Sequence, residues 1–180
     1  MGRGAGGPGP GADPEVSLLA REAAASLPGH PRGRPRSGQR SRSALEGDTE
    51  QGGHILVVDD NENNRDLLAR RLERQGYRVS QAEDGRRALD RIASEPFDLV
   101  LLDIMMPHMK GRDVCAFLKA NPQTKHIPVI FLTALALADH IKAGMDLGAE
   151  DYIVKPFEPA ELRDRIQIVL ARHEKGEPTV

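Results

Sequence analysis

The sequence predicts an α/β domain, built as a doubly wound five-stranded parallel sheet with helices on both faces. From His54 onward, short apolar runs alternate with segments whose apolar residues recur at helical spacing. Several of the apolar runs also lead directly into a polar side chain. Continuous apolar runs are typical of parallel strands that are buried on both faces, and regular alternation of strands and helices predicts right-handed crossovers.

Five segments have the composition of strands. Four of them are apolar runs, and the second along the chain is more polar and so gives a weaker signal. The predicted strands are His54–Val58, Tyr77–Ala82, Leu99–Leu102, Val129–Leu132 and Tyr152–Val154.

A helical segment follows each strand. In the first, Leu67, Leu68 and Leu72 lie at helical spacing, and Gly76 supplies the glycine that commonly follows a helix C-terminus. Pro159 suits the first turn of the last helix, where its missing N–H is tolerated. The predicted helices are Asn63–Gln75, Gly85–Ser94, Gly111–Ala120, Leu137–Leu147 and Pro159–Arg172.

The N-terminal region differs in composition from the rest of the chain. Twelve of the 18 glycines lie in Met1–Gly53, and five arginines lie between Arg32 and Arg42. Such a segment buries too little apolar surface to offset its ordering entropy. We expect a disordered Gly/Pro/Arg-rich tail at 1–53, a compact domain at 54–173 and a short tail at 174–180. The arginines are interpreted as a solvated linker; the alternatives are contact with an acidic surface or nucleic acid, and a tail that is not translated.

Composition also narrows the functional classes. A net charge of -2 and 3% aromatic residues give no basis for direct DNA binding by the compact domain. The single cysteine, Cys115, excludes an internal disulfide framework. No apolar run reaches membrane-spanning length, so we expect a cytoplasmic protein that does not enter a membrane. The scattered histidines are interpreted as surface or loop residues, because no metal-ligand spacing links them.

Polar side chains stand at the ends of four predicted strands. Asp59 and Asp60 follow the first strand and Asp103 follows the third. Thr133 follows the fourth strand and Lys155 the fifth. Ligands of open parallel sheets bind beyond the carboxyl ends of the strands. Three carboxylates, a hydroxyl and an ammonium should therefore meet at one edge, which suits a divalent cation and a phosphoryl group.

Mg²⁺ is the cation that the acidic cluster favours. Crowded carboxylates raise one another's pKa, and a hard cation with oxygen ligands offsets their repulsion. We expect Asp60 and Asp103 as direct ligands, Asp59 as a direct or water-mediated ligand, and the backbone carbonyl of Met105 as a further one. The alternative is that Asp59 and Asp60 only cap the following helix. Capping does not account for Asp103 and Lys155 at equivalent strand ends.

Asp103 is the expected nucleophile. An aspartyl carboxylate can attack phosphorus and carry the group as an acyl phosphate. Lys155 can neutralise the pocket at rest and pair with the phosphoryl group after transfer. The Thr133 hydroxyl can donate to a phosphoryl oxygen, although Thr133 by itself would be interpreted as a β-branched residue that closes a strand. The chain has no glycine-rich nucleotide loop with a lysine, so the donor is expected to come from outside.

Five motifs in order resemble the receiver domain of two-component response regulators, the CheY-like family. Each motif is weak alone, but their order and spacing are specific. They are Val57–Asp60, Leu102–Gly111, Leu132–Ala134, Gly148–Tyr152 and Lys155–Phe157. The resemblance runs from about His54 to Arg172 and implies the flavodoxin-like strand order 2-1-3-4-5.

The resemblance also implies roles for single residues and for partners. The donor would be a phosphohistidine on a sensor histidine kinase or a histidine phosphotransfer protein, and a downstream effector protein would respond. A homodimer through the fourth helix, fifth strand and fifth helix is a further hypothesis, with ion pairs among Asp151, Lys142 and Arg165. The matching positions are the phosphoacceptor Asp103, the metal residues Asp59, Asp60 and Met105, the switch residues Thr133 and Tyr152, and the lysine Lys155.

The expected function is that of a single-domain response regulator with no enzymatic activity of its own. The alternatives are the receiver portion of a longer protein, such as a hybrid histidine kinase or a cyclase-type regulator, and an interaction module that works without phosphorylation. An aspartyl-nucleophile phosphatase would need an acid–base aspartate two residues beyond Asp103, where the chain has Met105. Met105 and Leu135 flank the expected site with apolar side chains that cannot orient water, which predicts a long-lived acyl phosphate.

Overall fold

The computed structural model describes residues 52–134, 142 and 144–175. Five parallel strands form one sheet in the order β2-β1-β3-β4-β5, as the resemblance implied. The strands are β1 (His54–Val58), β2 (Arg78–Ala82), β3 (Leu99–Asp103), β4 (Val129–Thr133) and β5 (Asp151–Val154). The described helices are α1 (Glu62–Arg74), α2 (Gly85–Ser94), α3 (Gly111–Ala120) and α4 (Pro159–Glu174).

The bounds of these elements differ from the predicted ones by one or two residues at most. Asp103 and Thr133, expected just past their strands, are the last residues of β3 and β4. The predicted helix Leu137–Leu147 lies mostly outside the described residues, as does the predicted N-terminal tail. None of the helices in the described ranges combines the length and apolar character needed to cross a membrane.

The sheet separates two apolar layers, because successive strand residues point to opposite faces. In β1, Ile55 and Val57 face the layer of α1 and α4, whereas Leu56 and Val58 face the layer of α2 and α3. All four side chains are fully buried. The helices complete the layers with Leu68, Leu72, Leu162, Ile166 and Val169 on one side and Ala88, Ile92, Val114, Cys115 and Leu118 on the other. Helices on both faces thus follow from central strands whose consecutive apolar residues are buried on both sides of the sheet.

Two side chains differ from the sequence-based expectation. Leu67 shares the helical spacing of the apolar residues of α1 but is 50% exposed, since Leu68 and Leu72 form the buried stripe. His54 was expected at the surface but is buried. Its ring nitrogens lie 2.8 Å from the carbonyl oxygen of Pro96 and 2.9 Å from the Ser80 hydroxyl. Burial is tolerated because both nitrogens find partners.

The loop after β3 returns tightly to the end of that strand. The Gly111 amide donates to the Ile104 carbonyl at 3.2 Å, and α3 begins at Gly111. A Cβ atom at Gly111 would lie 2.1 Å from the backbone oxygen of Asp103. Only glycine fits at this distance, so the close approach fixes the backbone around Asp103.

We expect Gly111→Ala to lower the free energy of unfolding by about 1–3 kcal/mol, the cost of forcing a methyl group into a packed site. Urea denaturation measures the change. Gly76→Ala is the control, because a Cβ there meets no atom within 4 Å and only the φ of 90° opposes the substitution. A Gly111→Ala protein as stable as the wild type would contradict the close approach.

Candidate functional site

The candidate site lies at the carboxyl edge of the sheet, where four strands end side by side. Asp59 and Asp60 directly follow β1, and Asp103 ends β3. Thr133 ends β4 and pairs in register with Val154 of β5, so Lys155 follows at the same level. The parallel register therefore brings the predicted residues to one edge of the sheet.

Three carboxylates form the centre of the site. Asp59, Asp60 and Asp103 each offer an oxygen, and these three oxygens lie within 4.8 Å of one another. Asp59 has no exposed surface and Asp103 is 7% exposed, whereas Asp60 is open to solvent. The cluster thus combines two fixed, buried carboxylates with one that solvent can reach.

Lys155 joins the two buried carboxylates. Its Nζ donates to Asp59 Oδ2 at 2.7 Å and to Asp103 Oδ2 at 2.8 Å. The lysine side chain is 21% exposed, and the two carboxylate side chains are 0% and 10% exposed. One ammonium charge is therefore shared by two carboxylates in a poorly solvated position.

Backbone amides hold the other oxygen of each buried carboxylate. Asp59 Oδ1 accepts from the Asn61 amide at 2.9 Å, and Asp103 Oδ1 accepts from the Met105 amide at 3.0 Å. In both cases the donor lies two residues after the aspartate, which is the local turn that aspartate favours. The two carboxylates are therefore oriented in the same way: in each, one oxygen accepts from a backbone amide and the other accepts from Lys155.

The electrostatics of the pair reflect this sharing. Burial raises the pKa of Asp103 above its ordinary value; hydrogen bonds from Lys155 and the Met105 amide oppose the rise, and the Asp59 carboxylate adds to it. Burial lowers the pKa of Lys155, but its hydrogen bonds to Asp103 and Asp59 outweigh that effect and leave the pKa above its ordinary value. The ammonium is therefore charged at neutral pH, yet it cannot neutralise the whole cluster.

The donor set fits a hard divalent cation. Carboxylate oxygens are the ligands that Mg²⁺ takes in proteins, usually one or two together with water and phosphate oxygens. The exposed Asp60 leaves the cluster open on one side, so water or phosphate ligands can enter. A second positive charge would also oppose the rise in the pKa of Asp103, which burial causes and the Asp59 carboxylate increases.

The remaining predicted residues lie on β4, on β5 and in the loop after β3. Thr133 is 2% exposed at the end of β4, and the following Ala134 is exposed. Met105 is 58% exposed beside Asp103, so its apolar side chain faces solvent. Tyr152 is half-buried and packs against the apolar layer of α2 and α3.

One contact to the site was missed in the sequence. Arg65 of α1 donates from Nη1 to the backbone oxygen of Asp59 at 2.8 Å. The sequence offers no signal for this residue, because Arg70, Arg71 and Arg74 lie on the same helix with the same side chain. Only the direction of its side chain in the structure distinguishes Arg65 from the other arginines of α1.

In the metal-free protein, Asp103→Asn should be more stable than the wild type at neutral pH. The pKa of Asp103 is higher in the folded state than in the unfolded state, so the charged carboxylate penalises folding above the folded pKa. The penalty disappears as pH falls below the unfolded pKa, and the stability difference should shrink with it. Urea denaturation in EDTA between about pH 7 and about pH 4 measures this difference.

Asp164→Asn is the control for that series, because Asp164 is an exposed carboxylate on α4. Asp164→Asn should not reproduce the gain in stability at neutral pH that is expected of Asp103→Asn. An Asp103→Asn protein that is less stable than the wild type at neutral pH would contradict the dominance of burial over the Lys155 contact.

Comparison with known proteins identifies the family of the compact domain. The family model described as the response regulator receiver domain matches residues 55–167. A probable transcriptional regulator, ycf27 of Guillardia theta, is 45% identical over 133 residues, which are 73% of this chain and 51% of the relative. A probable cyclic di-GMP phosphodiesterase of Vibrio cholerae is 45% identical over 112 residues, 62% of this chain and 25% of the relative.

A solved structure gives the same result for the fold. The chemotaxis protein CheY4 of Vibrio cholerae superimposes with a TM-score of 0.63 at 32% identity, covering 66% of this chain and 98% of that one. The chain spans about half the length of the ycf27 relative. The matched family model covers more than half of the 180 residues, and the chain therefore belongs to the receiver domain family of two-component response regulators.

Proposed function

We propose that Asp103 accepts a phosphoryl group from a phosphohistidine on a sensor histidine kinase or a histidine phosphotransfer protein. The observation that carries the proposal is the Lys155 ammonium held between Asp59 and Asp103, at 2.7 and 2.8 Å, beside the exposed Asp60. This arrangement supplies a nucleophile, a carboxylate cluster that can bind a cation, and an ammonium that can pair with a phosphoryl group, all at one edge of the sheet.

The transfer would exchange one bond to phosphorus for another. An Asp103 carboxylate oxygen attacks the phosphorus, and an acyl phosphate O–P bond forms. The P–N bond to the donor histidine breaks, and its electron pair remains on the imidazole nitrogen. Lys155 can then move its hydrogen bond from Asp103 to a phosphoryl oxygen, while the Thr133 hydroxyl donates to another.

Asp59, Asp60 and Asp103, with the backbone carbonyl of Met105, are the residues proposed to hold Mg²⁺. When bound, the cation would neutralise charge on the transferring group. Without it the chain offers one ammonium to two buried carboxylates. Excess negative charge would then repel a phosphoryl donor, so transfer should depend on a divalent cation.

The proposed switch links this chemistry to a binding surface. When Thr133 turns toward a phosphoryl group, Tyr152 can move into the space behind it. Tyr152 is only half-buried now, and it pairs in register with Phe131 of β4, two residues before Thr133. A bias of a few kcal/mol is enough to shift such a two-state population.

The partners are proposals of the same kind. An effector protein would bind the face formed by the predicted helix Leu137–Leu147, β5 and α4. On that face Arg165 and Asp151 form an ion pair of 3.0 Å within one chain. A homodimer through this face would exchange such pairs between copies, although exposed pairs contribute little energy singly.

The output beyond the receiver domain is also a proposal. The same switch serves a stand-alone receiver and the receiver part of a longer regulator. Relatives named as transcriptional regulators and as a phosphodiesterase extend well beyond the matched region. We propose that the described domain acts as the phosphorylation-controlled binding module, and that DNA binding or catalysis, where present, belongs to other domains.

Incubation with Mg²⁺ and acetyl phosphate should add about 80 Da, the mass of one phosphoryl group, to the intact protein. The adduct should be absent without Mg²⁺ and in Asp103→Asn, because the cation site and the nucleophile are both required. Intact-mass spectrometry is the measurement, and Asp164→Asn is the control that should still be modified. A folded wild type that binds Mg²⁺ but gains no mass would favour the phosphorylation-independent interaction module instead.

Met105→Asn should shorten the lifetime of the acyl phosphate. The exposed Met105 side chain cannot orient a water, whereas an amide at this position can donate or accept. One such hydrogen bond is worth about 1 kcal/mol, which corresponds to roughly fivefold faster hydrolysis. Loss of the mass adduct with time gives the rate, and Met105→Leu is the control that should keep the slow rate. Equal lifetimes for all three proteins would contradict the role of Met105.

A further inference from the structure

We propose that Arg65 is a positioning residue for the Asp59–Asp60 pair, an inference that rests on the proposed Mg²⁺ site. Arg65 lies in the first turns of α1, and its Nη1 donates to the backbone oxygen of Asp59 at 2.8 Å. It makes no ion pair with a carboxylate in the part of the chain that the structure describes. The hydrogen bond that its guanidinium makes is therefore to the backbone of the site and not to a carboxylate.

The planarity of the peptide bond makes this contact effective. The carbonyl of Asp59 and the amide and Cα of Asp60 lie in one rigid plane. A hydrogen bond that fixes the Asp59 oxygen therefore fixes the direction in which the chain enters Asp60. Arg65 sets the relation between the two carboxylates without touching either of them.

Asp59 and Asp60 depend on this contact to different extents. Asp59 is held at its remaining polar groups, because its amide donates to Ala82, Oδ1 accepts from Asn61 and Oδ2 accepts from Lys155. Asp60 is exposed. No hydrogen bond or ion pair holds the Asp60 side chain among the described residues, so the backbone sets where its carboxylate lies, and Arg65 holds one peptide of that backbone.

Charge and position predict opposite effects when Arg65 is replaced. A positive charge near the cluster repels a cation, so its removal alone should strengthen Mg²⁺ binding. Loss of the hydrogen bond frees the Asp59–Asp60 peptide and should weaken binding. Residues that orient metal ligands typically contribute 10–100-fold in affinity.

Arg65→Met is therefore the decisive variant, because it removes both the charge and the donor while keeping the length of the side chain. Arg65 lines an open groove with Gln81, Glu83 and Arg87, so the change leaves no sealed cavity. Arg70→Met is the matched control. Arg70 is exposed on the same helix and has no hydrogen bond or ion pair among the described residues. Arg65→Lys keeps the charge and one donor and serves as the conservative rescue.

The measurement is the Mg²⁺ dissociation constant by calorimetry, with thermal unfolding in EDTA as the test of folding and amide NMR shifts of Asp60 and Asn61 as the local signature. We expect binding that is roughly tenfold or more weaker in Arg65→Met. Arg65→Lys should be intermediate, and Arg70→Met should be unchanged or slightly tighter. The Asp60 amide should shift in metal-free Arg65→Met and not in Arg70→Met.

Equal or tighter binding in a folded Arg65→Met would overturn the inference and leave Arg65 as a charge beside the site. If Arg65→Met does not fold, Arg65→Gln repeats the test, since glutamine is neutral and too short to reach the same oxygen. A wild type that does not bind Mg²⁺ would overturn the proposed function itself. The two failures are thus distinguished by the wild-type titration.

Discussion

The shared ammonium of Lys155 is the interaction on which the rest of the site depends. It bridges two buried carboxylates that lie at the ends of different strands, and it donates a hydrogen bond to one oxygen of each. Buried carboxylates without such a partner would be costly to the fold. The lysine permits Asp59 and Asp103 to remain close together, but its single positive charge does not balance the negative charge of the carboxylates. This excess negative charge is the physical basis of the proposed cation site.

The fold supplies the rigidity that this balance requires. β1 and β3 are buried along their whole length, and their side chains anchor both apolar layers. The end of β3 is further confined by Gly111, where a Cβ atom would lie too close to the backbone oxygen of Asp103. Local turns then orient the carboxylates through the amides two residues ahead. The packed strands therefore support a site whose buried charges are by themselves unfavourable for folding.

Much of this arrangement was predictable from the sequence, for physical reasons that differ between parts. Strand positions and the gathering of Asp59, Asp103 and Lys155 follow from apolar runs and from the common edge of a parallel sheet. The contact of Arg65 and the burial of His54 do not, because they depend on side-chain direction. Those directions are settled by packing between elements distant in the sequence, which residue types and local spacing do not encode.

The hydrogen bonds of the site are either very local or very distant in the sequence. This difference determines the order in which they can form during folding. The amide contacts to each carboxylate span two residues and can form as soon as their turns do. The lysine contacts span 96 and 52 residues and require β5, the last strand at the sheet edge. Until β5 docks, each carboxylate can accept its local backbone hydrogen bond but lacks the ammonium of Lys155. The ammonium bridge therefore joins parts of the domain that lie far apart in the sequence, whereas α4, which follows Lys155, still has to pack against the sheet.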